Sequence, residues 1–149
     1  MRHIFLDSSP LGLLSNPASS PEVLDILNWA GARLGNGDRF YIPEIIDYEV
    51  RRELIRAGKT AGIRELNRLQ ANFHFVPITS AAITLAAQLW AQARNRGTAT
   101  GDPKKIDIDV ILAAQALTSG IPHTDLVVVT ENVKHLAQFV TADEWRNLT

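Results

Sequence analysis

The run Leu126-Val-Val-Val129 is the feature that most narrows the folds open to this chain. β-branched residues favour extended backbone, because two heavy atoms on Cβ crowd a helical turn. With no polar alternation, neither face of such a strand is left for water. It needs cover on both sides, as in a parallel sheet flanked by helices. Arg2–Leu6 and Phe40-Tyr-Ile42 are further short apolar runs, Phe73–Val76 is a third strand candidate, and Phe139-Val140 is a last one.

Helix signals separate these runs. Ser9 before Pro10 reads as a cap with proline in the first helical position. Pro21 opens a second helix, with Val23, Leu24, Ile26, Leu27, Ala30 and Leu34 at helical spacing. Pro43 starts a third, Gly58 and Gly62 interrupt the pattern, and residues 63–72 continue helically. Ser80 is the expected cap of a long helix, Ala81–Arg96. Gly97–Lys105 reads as a polar loop, expected to be the most mobile segment, with Asp102 as a turn residue. A nearly all-apolar helix around Asp109 stops at Gly120, and Trp145 is expected to pack the C-terminal turn down. Strands alternating with helices predict an α/β domain with a parallel sheet of four or five short strands, one domain over residues 1–149. Ligands gather beyond the carboxyl ends of such strands. Asp7 and Thr130 directly follow strands, so both belong at that edge.

Three carboxylates stand where apolar elements end or begin: Asp7 after Ile4-Phe-Leu6, Glu49 beside an oily helix face, and Asp109 at the head of the apolar helix. Uncompensated buried charge is costly, so the set suggests a shared cation. Asp7 is surplus to capping if Ser9 caps. Glu49 falls about 60° from Ile46 on a helical projection, beside the stripe Ile42, Ile46, Val50, Leu54. An ion pair with Arg52 would account for it equally well. Glu53 lies near the same stripe, where pairing with Arg56 accounts for it. Glu44, Asp47 and Arg51 project to water. Asp107 is the expected cap of a helix starting at Ile108, leaving Asp109 in a first turn whose dipole favours an anion.

The 46% hydrophobic content argues against disorder, and the chain has no cysteine, which removes disulfides and thiolate metal sites. No apolar run approaches the ~20 residues that span a bilayer. Asp7 breaks the N-terminal apolar stretch too early for a signal peptide, so a cytoplasmic protein is expected. The net charge of −1 advertises no nucleic-acid partner, and any such contact must use local basic patches. Arg51, Arg52, Arg56 and Lys59 form one patch near Glu49. Lys104 and Lys105 form another before Asp109, with Arg94 and Arg96 ahead of them. No two of the four histidines have metal-ligand spacing. No Ser or Cys has a paired His for covalent catalysis.

Four segments in order, Ile4-Phe-Leu-Asp7-Ser-Ser9, Pro43-Glu-Ile-Ile-Asp-Tyr-Glu49-Val-Arg-Arg-Glu-Leu54, Ile106-Asp-Ile-Asp109-Val-Ile-Leu-Ala-Ala-Gln-Ala-Leu117 and Val128-Val-Thr130-Glu-Asn132-Val-Lys-His135, resemble the PIN-domain nucleases, above all the VapC-type toxins. The resemblance spans the chain. It implies a three-layer α/β/α sandwich around a mostly parallel sheet, with Asp7, Glu49 and Asp109 as the acids of a Mg²⁺ or Mn²⁺ site. Thr130 matches a hydroxyl residue beside that site. Asn132 stands where many members carry a fourth Asp, so a catalytic role there would use an uncharged carbonyl, and a second metal ion is put in question.

The resemblance further implies a single-stranded RNA substrate, a small antitoxin partner and a homodimer. Leu11, Leu13, Leu14 and Trp29 are candidate apolar contacts for the dimer. Oxygen ligands suit Mg²⁺, which keeps several waters, and water activated by the ion would cleave the phosphodiester. That chemistry needs no ribose 2′-OH, so by itself it allows DNA. If the basic residues ring the acidic pocket, Arg52, Lys104 and Lys105 would hold phosphates beside the cut; a solvated helix face accounts for such mixed charge equally well. Two other readings compete. A phosphotransfer domain with Asp7 as nucleophile expects a second Asp two residues on, where Ser9 stands, or a Lys after a later strand. A non-catalytic scaffold is favoured mildly by Asn132 and opposed by the three acids.

Overall fold

The computed structural model describes residues 1–97 and 106–149. The expected loop Gly97–Lys105, with Asp102, Lys104 and Lys105, lies outside them apart from Gly97. The element order is β1 (His3–Leu6), α1 (Ser8–Leu14), α2 (Pro21–Gly35), β2 (Arg39–Pro43), α3 (Glu44–Arg56), α4 (Thr60–Asn72), β3 (His74–Val76), α5 (Ser80–Arg96) and α6 (Ile106–Leu117). After a 3₁₀ turn at His123–Asp125 come β4 (Leu126–Val129), α7 (Val133–Leu136), β5 (Ala142–Asp143) and a closing 3₁₀ turn, Trp145–Asn147.

Five parallel strands lie in the order β3-β2-β1-β4-β5. All four residues of β4 are buried, as are Ile4, Phe5 and Leu6 of β1. Strands with no exposed face need helices on both sides, and the result is an α/β/α sandwich. The chain leaves β1 toward β2 and β3, then returns through α5 and α6 to β4 on the other side of β1. The reversal makes a topological switch point between β1 and β4, the place where ligands gather in open α/β sheets. Leu6 stands in register with Val129, so the residues that follow, Asp7 and Thr130, come side by side.

Several local expectations hold. Pro21 opens α2, and the structure adds Ser20 as its cap, the hydroxyl accepting from Val23 N–H. Gly97 ends α5 at a φ of 67°, where a side chain would be strained. Trp145 packs on Trp29 at 5.7 Å between ring centroids, and Trp29 Nε1 donates to the Leu148 carbonyl at 2.7 Å.

Other expectations are corrected. Asp7, not Ser9, is the N-cap of α1, which starts at Ser8, so Asp7 is not surplus to capping. Thr79, not Ser80, caps α5, with its hydroxyl accepting from Ala82 N–H. α6 begins at Ile106, so Asp107 and Asp109 both lie in its first turn and Asp107 is not a cap. The last strand is Ala142–Asp143, because Phe139 and Val140 instead close the turn after α7 through N–H bonds to the Leu136 carbonyl. Leu11 and Leu14 are buried in the chain's own core and present no face to a second copy.

Candidate active site

Asp7 leaves β1 with extended backbone, its N–H donating to the Val129 carbonyl at 3.0 Å. Its side chain, only 6% exposed, works in two directions. Oδ1 accepts from Ser8 N–H at 2.7 Å, which caps α1. Oδ2 accepts from the Thr130 hydroxyl at 2.7 Å. Thr130 Oγ1 in turn accepts from Asn132 N–H at 2.9 Å, and Thr130 N–H donates to the Asp143 carbonyl. The ends of β1, β4 and β5 are thus laced together around one carboxylate. Thr130 meets Asp7 as its place after β4 led one to expect. Asn132 is exposed at the head of α7, and its side chain makes no capping bond.

Glu49 sits on α3, half-buried. It lines a cleft of about 290 Å³ with Ser8, Gly12, Val50, Glu53 and Leu54, and Ser8 is the chain neighbour of Asp7. Among the described residues Glu49 forms no ion pair: Arg52, its possible partner, stacks over the Tyr48 ring at 5.0 Å instead. Glu53 pairs with Arg56, the bland account given for it. Hydrogen bonds from Arg56 hold the Glu53 carboxyl below its ordinary range, and the same contact raises the Arg56 guanidinium. Asp109 is half-buried in the first turn of α6, at the positive end of the helix dipole.

Two acids differ from their sequence-based placement. Asp47 is 6% exposed, not turned to water. Arg51 grips it with Nε at 2.8 Å and Nη2 at 3.1 Å, while Arg51 Nη1 donates to Asn67 Oδ1 on α4. The hydrogen bond to Asp47 raises the Arg51 guanidinium, partial burial works against it, and Coulomb attraction to Asp47 adds to the rise. Glu44 accepts from Ile78 N–H at 2.7 Å. Half of the basic patch around Glu49 is therefore spent on the chain's own carboxylates: Arg51 and Arg56 are paired, Arg52 lies over Tyr48, and Lys59 is exposed. The i, i+4 spacing of Asp47 and Arg51 was the available signal.

A buried glutamine was also missed. Gln115 lies 1% exposed in the apolar stretch of α6, bonded to α3 and to the end of β3. A lone amide among alanines was its only trace in the sequence.

The donors Asp7, Glu49 and Asp109 are all carboxylate oxygens, which suits a hard divalent cation in kind. In arrangement the set is not closed: among the described residues, no three His, Asp or Glu side chains stand close enough to share an ion.

The sequence profile of the PIN domain family matches residues 4–140, and the chain belongs to that family. Its fold is similar to chains of three solved structures. VapBC2 from Rickettsia felis bound to a DNA fragment from its promoter aligns with a TM-score of 0.71 at 14% identity, covering 96% of this chain and 98% of that one. VapBC-1 from nontypeable Haemophilus influenzae gives 0.63 at 16% identity, covering 98% and 99%. DNA-bound VapBC from Salmonella typhimurium gives 0.58 at 22% identity, covering 97% and 99%. None of the curated proteins matches the chain. Among the described residues no helix is long and apolar enough to cross a membrane.

Proposed function

We propose that this chain is a single PIN-like domain acting as a metal-dependent endoribonuclease on single-stranded RNA, the toxin of a toxin–antitoxin pair working in the cytoplasm. The observation that carries the reading is Asp7: a nearly buried carboxylate at the switch point, fixed by Ser8 N–H and the Thr130 hydroxyl, next to the cleft that holds Glu49, which makes no ion pair among the described residues. Asp7, Glu49 and Asp109 would hold Mg²⁺ or Mn²⁺, with the side-chain carbonyl of Asn132 beside them. When bound, such an ion supplies Lewis-acid polarisation of the phosphodiester and activation of water.

The chain's own residues do the rest. Thr130 orients Asp7 by donating to Oδ2. The dipole of α6 supports the charge on Asp109. Arg52, Lys104 and Lys105 would neutralise phosphates on either side of the cut. The similarity to chains from VapBC assemblies supports an antitoxin partner, and a homodimer is part of the same reading.

A non-catalytic PIN scaffold is the second reading. It draws on the open arrangement of the three acids and on Asn132 in place of an acid. RNA cleavage by the purified chain, with and without Mg²⁺ or Mn²⁺, separates the two. The nuclease reading expects cleavage only with the ion and loss of roughly a hundredfold or more in Asp109→Asn. Metal-independent cleavage that survives Asp109→Asn, or no cleavage at all, contradicts it.

A further inference from the structure

α3 and α6 carry two of the three acids of the proposed site, and one buried side chain ties these helices together. Gln115 of α6 accepts from Ile45 N–H through Oε1 at 3.1 Å and donates through Nε2 to the Val76 carbonyl at 2.7 Å. The first bond joins residues 70 positions apart. The first N–H groups of a helix have no partner within it. At the head of α3 the N-cap residue is Pro43, which makes no side-chain capping bond. Ile45 is therefore capped from another helix. Nearby, Glu44 accepts from Ile78 N–H, so the segment just after β3 is clamped to the same first turn. Ile45 lies one turn from Glu49, roughly 6 Å along α3, and Gln115 lies roughly 9 Å along α6 from Asp109.

We propose that Gln115 is a positioning residue: its amide sets how α3 sits against α6, and so the separation of the Glu49 and Asp109 carboxyl groups. The inference rests on the proposed metal site. Apolar contacts alone would let the helices slide by small steps, whereas a two-ended hydrogen bond at full burial has one geometry. Residues that orient metal ligands without touching the ion commonly alter metal affinity about ten- to a hundredfold.

The test compares wild type with Gln115→Met, which keeps volume and loses both bonds, and with Gln115→Glu. A glutamate at that depth is held protonated by burial, so it still accepts from Ile45 and donates to Val76. Mn²⁺ affinity is measured by calorimetry at a temperature where all three show native circular dichroism. The expected result is Mn²⁺ binding weakened about tenfold or more in Gln115→Met and largely restored in Gln115→Glu. A lowered melting temperature with wild-type Mn²⁺ affinity in Gln115→Met reduces the residue to a structural role and overturns the inference. Metal-free ¹³C spectra of the side-chain carboxyls provide an independent readout. Displaced signals for both Glu49 and Asp109 in Gln115→Met support the inference, and changes confined to the neighbours of residue 115 overturn it. If wild type takes up no Mn²⁺, the proposed function fails, and those spectra still decide the positioning claim.

Discussion

The two flanks of α3 carry acids two residues apart that have opposite surroundings. On the flank facing α4, Asp47 is almost fully buried, gripped by two nitrogens of Arg51, with Asn67 holding the guanidinium from behind. On the flank facing α1, Glu49 is half-buried beside the cleft that begins at Ser8 and makes no ion pair among the described residues. Burial alone would select Asp47 as the unusual group. Compensation reverses that choice: a buried carboxylate with its counter-charge is settled structure, whereas a less buried one with no ion pair among the described residues is the better candidate for a ligand. One helix thus carries a compensated acid on one side and, on the proposed reading, a metal ligand on the other.

The sharpest way to break the comparison is to disarm each flank in turn. Glu49→Gln is expected to lower metal-dependent cleavage roughly a hundredfold with a melting temperature unchanged or raised, since no ion pair among the described residues is lost. Arg51→Ala is expected to do the reverse. It strips the buried Asp47 carboxylate of its counter-charge and cuts the link to α4, costing about 2–3 kcal/mol, with cleavage per folded molecule close to wild type. Thermal melts and initial cleavage rates on both variants check this, and a stability loss in Glu49→Gln with normal activity would invert the assignment.

Thr130→Val sharpens the contrast, because Thr130 serves both ends. Its hydroxyl holds Asp7 and receives Asn132 N–H, so its removal is expected to cost about 1–2 kcal/mol and to reduce cleavage as well. An effect on only one of the two readouts would place Thr130 with packing or with chemistry alone.

The smallest effect belongs to the exposed Glu53–Arg56 pair. Arg56 depresses the Glu53 carboxyl, so the folded state holds its charge to lower pH than the unfolded chain. The pair's stabilisation is present above the ordinary carboxylate range and is lost as pH falls through the lowered value. Melting curves of wild type and Glu53→Gln should differ slightly at neutral pH and converge in strong acid. A gap that widens with acidity would contradict the sign.

How legible all this was in the sequence follows from which information is local. The β-branched run at 126–129 marked a doubly covered strand, and residues right after apolar strands marked the edge where Asp7 and Thr130 meet. Angular sorting found Glu49 beside the Ile46 stripe. It misplaced Asp47 because a projection assumes one buried face, whereas α3 is covered by α4 as well. The order of strands, which makes the switch point, depends on pairings between distant segments that no window contains. For the same reason Gln115 looked like one polar residue in an oily helix, its partners at Ile45 and Val76 lying far off in the chain. Short terminal elements were the least legible, since two residues of strand at Ala142–Asp143 leave almost no periodicity.

The central claim is that Asp7, Glu49 and Asp109 share one divalent ion. Crystals of the full chain grown with Mn²⁺ and measured for anomalous scattering test it most directly. A single Mn²⁺ peak about 2 Å from an oxygen of each of the three carboxyl groups is the predicted result. Well-ordered carboxylates that stay apart with no Mn²⁺ between them, at concentrations where the ion binds elsewhere on the molecule, would contradict it.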